Sequence, residues 1–185
     1  MKHSKIIVLF VLVAMFSIAG VSATLAQDSS AQVIEVEVAE DGTRFVFGTE
    51  QLHEDGMPAY GSPFVTQGYI YPVGTLNGSN GVLANGEPEF PELVIGEWTC
   101  YGWMIGDGGH ATTGEWVVST QIYAFEDNII VTNGFELADL NVPVARAITG
   151  GTGDYTGARG QMQQTLLGFT EQMGVNLTVE LAIAE

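Results

Sequence analysis

Two segments at opposite ends of this 185-residue chain alternate apolar and polar residues with a period of two. Residues 33–38 read VIEVEV, so Ile34, Val36 and Val38 face one way and Glu35 and Glu37 the other. Residues 175–183, VNLTVELAI, set Leu177, Val179, Leu181 and Ile183 on one face. Successive Cβ atoms of a strand point to opposite faces, so this alternation predicts half-buried strands and resists a helical reading. Between them lie further strand-like runs at 43–49, 64–73, 93–105, 115–125, 129–137, 142–149 and 159–167, rich in β-branched and aromatic residues. No helical period is visible beyond the first 26 residues. Such a series with turn signals between its members predicts an all-β sandwich or barrel. The first and last strands are both amphipathic, so their pairing would close a barrel and remove its open edges.

The connections carry the breakers. Residues 147–160, AITGGTGDYTGARG, hold five glycines in fourteen residues and sit between two strand-like runs. Gly150, Gly151 and Gly153 tolerate positive φ, so a tight reversal is expected there. The spacing does not match a dinucleotide fingerprint, and no helix follows to receive a phosphate. Residues 74–91 form a long Gly/Asn/Pro/Glu loop of the kind often used for function.

The first segment is a targeting signal. Lys2, His3 and Lys5 precede an apolar run over 6–21, with small residues before Ala23 and Ala26. This predicts a secretory signal peptide at 1–26, a linker at 27–32 and one barrel domain at 33–185, with a secreted or periplasmic destination. The run is shorter than a spanning helix requires, so no membrane association is expected after its removal. The leader holds two of the five basic residues and none of the 22 acids, which leaves a mature chain with three cations and a formal charge of −19. A surface this acidic repels nucleic acid and anionic lipid. The single cysteine, Cys100, permits no internal disulfide and is read as a small buried hydrophobe.

Few residues announce chemistry. His53 and His110 sit in acidic loops far apart in sequence, so neither a metal nor another cofactor is expected. Arg44, Arg146 and Arg159 are the only cations of the mature chain. Each is expected to form a structural ion pair, unless one projects into a cavity and holds an oxygenated ligand. Tyr69, Tyr71, Trp98, Cys100, Trp103 and Tyr123 are the candidate ligand contacts, because a small barrel can hold one ligand between its inward side chains.

The glycine-rich segment, with its following glutamine, resembles the matching segment of allene oxide cyclases and dirigent proteins. FGTEQL at 47–52, TQGYIY at 66–71 and IYAFEDNIIVTNGFEL at 122–137 resemble their strands upstream. GEWTCYGWMIGDGG at 96–109 is similar to that of exported bacterial members of the superfamily. The resemblance spans about 44–181. It implies an eight-stranded antiparallel closed β-barrel with an apolar cavity, often a homotrimer. The glutamate and cysteine used by the cyclases fall at Gly48 and Ile70, so their activity does not carry over. Thr49 and Glu50 stand where dirigents have paired aspartates, and Arg159 matches the dirigent arginine. Three functions follow. A secreted barrel that binds a small apolar or phenolic molecule is favoured. Alternatives are a cyclase/isomerase or dirigent-type enzyme, with Glu50 as acid/base and Arg159 orienting an oxygen, and a structural exported protein with a filled barrel.

Overall fold

The computed structural model describes residues 31–170 and 172–184; the expected leader and most of the linker lie outside them. Nine strands follow in chain order: β1 (Gln32–Glu40), β2 (Val46–Phe47), β3 (Pro63–Pro72), β4 (Gly96–Met104), β5 (Glu115–Phe125), β6 (Asn128–Leu137), β7 (Pro143–Thr152), β8 (Arg159–Phe169) and β9 (Val175–Ala184). Each of β3 to β8 pairs antiparallel with the next, β1 pairs with both β9 and β3, and the sheet closes into an eight-stranded barrel. The register Ile34↔Leu181, Val36↔Val179 and Val38↔Leu177 joins the two amphipathic ends, as their alternation requires. β2 adds a two-residue ribbon to β3 outside the closed ring.

Closure sends one residue in two to the interior on every strand. Val36 and Val38 of β1, Ile70 of β3, Trp98 and Cys100 of β4, Tyr123 of β5, Ile130 of β6, Ile148 of β7, Met162 of β8 and Leu177, Val179, Leu181 and Ile183 of β9 form one buried cluster. An eight-stranded barrel is just wide enough for inward side chains to fill it, and here they nearly do.

Three local expectations change. Residues 43–49 do not form a full strand. Asp41 caps a 3-10 turn over Gly42–Arg44 through Thr43 N–H, and only Val46–Phe47 remains extended. The reversal after β7 begins later than Gly150. Gly150 and Gly151 still pair with Val131 and Ile130, and Thr149 is the extra residue of a bulge. The chain turns at Gly153, where φ is +61° and a Cβ would collide with the Asn128 side chain. Finally, the 74–91 loop lies on the outer wall. Leu76 and Val82 pack on Ala39 and Tyr71, while Tyr71 OH donates to Gly81 O at 2.7 Å and Tyr69 OH to Gly86 O at 2.8 Å.

Candidate functional site

The two ends of the barrel interior differ in chemistry. Towards the β5–β6 turn, Trp98, Ile130, Ile148, Met162, Leu181 and Ile183 pack together, with Phe125, Tyr155 and Ala158 against them. This end is apolar and closed.

The middle of the interior is polar and almost wholly bonded. Arg146 is buried, and it reaches past Gly134, where any Cβ would stand 3.0 Å from its side chain. Its guanidinium donates to the carbonyls of Gly134, Phe135 and Ser119 and to Ser119 Oγ, and lies 3.6 Å from Glu136 Oε1. Glu136 also accepts from Ser119 Oγ, from Cys100 Sγ at 3.4 Å and from Gln164 Nε2 at 3.3 Å. Gln164 accepts from Gln121, which accepts in turn from Tyr123 OH. Charges removed from water persist only when paired and hydrogen-bonded, and this cluster meets that condition for Glu136. Burial and the Glu136 charge hold the Cys100 thiol well above its usual value, so it is a protonated donor rather than a nucleophile.

Above this layer the barrel opens. A small void of about 30 Å³ lies between Glu40, Thr66, Trp98, Cys100 and Glu136. It has room for a water-sized guest. Glu40, Phe45, Met104, Trp116 and Val175 also line a pocket of about 480 Å³ at the mouth, completed by Phe47, Met57, Phe169 and Met173. Glu40 is the last residue of β1, and its carboxylate accepts from Val175 N–H at 2.6 Å. Burial, helped by the nearby Glu136 charge, pushes its pKa from 4.5 up to about 7. Trp116 Nε1, a buried donor beside both the void and the pocket, has no hydrogen-bond partner. A bound molecule with oxygen acceptors would satisfy groups of this kind.

The candidate residues from sequence divide by strand face. Trp98, Cys100 and Tyr123 point inward and are buried. Trp103 is the opposite case: 55% exposed, it faces outward, as period two from Trp98 demands. Because Ile70 takes the inward position on β3, Tyr69 and Tyr71 project outward, beneath the 74–91 loop. Glu50 is exposed in the loop after β2. Arg159 is also exposed, on β8, and donates to the carbonyls of Ala158, Gly157 and Thr149. Neither Glu50 nor Arg159 enters the interior. Gly48 is likewise at the foot of β2, against Pro63.

Arg44 lies outside, paired with Asp41 at 2.7 Å. Arg146 is the interior cation, and its alternation with Ile148 was the available signal. Glu40 and Glu136 were missed because each reads as the polar end of a strand running into a turn. Each stands an even number of residues from an inward apolar neighbour, Val38 and Ile130 respectively, and that parity was the clue.

No protein-family model matches the chain, and no curated protein matches it significantly in sequence. Solved structures do match in shape. The pterocarpan synthase dirigent protein GePTS1 superposes with a TM-score of 0.61 at 13% identity, over 85% of this chain and 91% of that one. The pterocarpan synthase dirigent protein PsPTS1 gives 0.60 at 13% identity, over 84% and 95%. A pyocyanin demethylase gives 0.52 at 12% identity, over 82% and 99%. The chain therefore has the closed antiparallel barrel fold of the dirigent-like proteins.

Proposed function

We propose that this protein is a secreted or periplasmic barrel that holds a small apolar or phenolic molecule in the pocket at its open end. One observation carries the reading: a mostly apolar pocket of about 480 Å³ narrows onto a buried carboxyl, Glu40. Phe45, Phe47, Met104, Trp116 and Phe169 offer the apolar contact, and Glu40 with the Trp116 N–H offers the polar one. A concave apolar site with a few convergent polar groups is the usual form of a small-molecule site.

A second reading rests on the same carboxyl. With its pKa near 7, Glu40 is suited to take or give a proton at neutral pH, which a cyclase, isomerase or dirigent-type enzyme would use. In that case Glu40 replaces Glu50 as the acid/base. The names of the similar barrels, a pterocarpan synthase and a demethylase, support such chemistry. The nearly filled centre suits the packed structural barrel, and the open pocket is what favours binding.

Val46, Val65, Tyr101, Trp103 and Phe135 leave an apolar stripe exposed on the outer face of β2 to β6. This stripe is where copies of a homotrimer would meet. Native mass spectrometry of protein purified from its own host reads all of these points at once. The expected result is a mature mass starting after Ala23 or Ala26, three copies, and a retained small molecule that Trp116→Ala releases. A ligand-free chain that no phenol or fatty acid stabilises against heat would sink both readings.

A further inference from the structure

Two histidines far apart in sequence, His53 and His110, are brought together at the rim of the pocket. His53 lies in the loop between β2 and β3, and His110 in the loop between β4 and β5. Their rings stack with centroids 3.9 Å apart and planes 14° from parallel. His53 Nε2 contacts the Asp107 carbonyl at 2.9 Å, and His110 Nε2 contacts Asp55 Oδ2 at 2.8 Å. One donor atom each from His53, His110 and the Asp107 carboxylate lie within 4.8 Å of one another. The backbone holds the loops in register: Gly109 N–H donates to Pro58 O at 2.8 Å, and His53 N–H to Met57 O at 2.8 Å.

We propose that His53, His110 and Asp107 form a binding site for a divalent transition metal of the zinc class, which ties the two rim loops together beside the pocket. Two imidazoles and a carboxylate are the donor set that such ions prefer over magnesium or calcium. A tetrahedral ion with bonds of about 2.0–2.1 Å holds its ligand atoms about 3.4 Å apart, so the donors need close by no more than about 1.4 Å. His110 and Asp107 are exposed and His53 half-buried, so side-chain rotation alone can bring them in. Asp55 already bonds His110, the carboxylate–imidazole contact that fixes the tautomer and orientation of a metal-binding histidine. A chain of formal charge −17 also concentrates cations near its surface. The apposition of two imidazoles and a carboxylate distinguishes this rim from the scattered surface acids. The site is independent of the pocket's ligand, although His110 lines both.

The test uses the full chain, made without a polyhistidine tag and stripped with a chelator. Zinc chloride is titrated by calorimetry, and cobalt(II) chloride is followed by its visible absorption. Expected is one-to-one binding, a cobalt spectrum of low coordination number, and a zinc-dependent rise in melting temperature. His53→Ala and His110→Ala should each weaken zinc by at least about tenfold, and Asp55→Asn by less. Melting of the metal-free variants should match the parent, which separates lost ligation from lost folding. Glu87→Gln, on the outer wall, should bind as the parent does. Zinc affinity unchanged in both histidine variants, or cobalt retaining the spectrum of its aqueous ion, overturns the proposal. All of these readouts are independent of whether any organic ligand binds the pocket.

Discussion

The closed and open ends of the barrel are made by the same strands, and they differ in what alternates. On β6 the inward series runs Ile130, Thr132, Gly134, Glu136, and on β1 it runs Ile34, Val36, Val38, Glu40. Both series change from apolar to acidic towards the same end. At the closed end, burial of large apolar side chains supplies stability without directional demands. Towards the open end, each polar group needs a partner, and Trp116 Nε1, which lacks one, faces the void and the pocket. The contrast shows how one barrel separates holding itself together from offering a site.

Three changes would break or sharpen this contrast. The largest effect is expected at the closed end. Trp98 is 1% exposed, so Trp98→Ala should cost about 3–5 kcal/mol in denaturant unfolding. The polar layer should respond differently. Arg146→Met leaves Glu136 buried and unpaired and should cost about 3 kcal/mol, whereas Arg146→Met with Glu136→Leu should recover most of it. If the double variant is no more stable than the single one, the ion pair is not what the layer depends on. The smallest effect belongs to Glu40. Its folded pKa of about 7 exceeds the ordinary 4.5, so between those values the folded state binds more protons than the unfolded state. Stability should therefore fall as pH rises from about 4.5 through about 7. Glu40→Gln should remove that slope and stabilise the protein at pH 8 by about 1–3 kcal/mol, read from melts across pH. An unchanged slope would show that Glu40 titrates normally.

Alternation in residues 33–38 and 175–183 was enough to pair the ends of the chain, and the strand runs were placed within a few residues. It also separated Trp98 and Cys100 from Thr99, Tyr101 and Trp103, so half of the candidate contacts were assignable to a face. The short β2 was not legible, because Asp41 draws Thr43 into a local turn that competes with an otherwise strand-like TRFVF run. Nor was the site. Glu40, Glu136 and Arg146 sit on three strands, up to 106 residues apart in sequence by their numbering, and nothing local marks them as neighbours.

The sequence by itself determined that the chain is all-β, that its ends are amphipathic strands, and which side chains share a face, because period two is a property of the extended backbone. Only the tertiary structure decided which face became the interior, that Arg146 rather than Arg44 or Arg159 is buried there, and that His53 meets His110 at the rim. The physical reason is closure. Curling the sheet until β1 lies between β9 and β3 converts parity along each strand into depth within a cylinder, and it brings loops from different hairpins to one end. Proximity of that kind is set by register across eight strands and is written in no single segment.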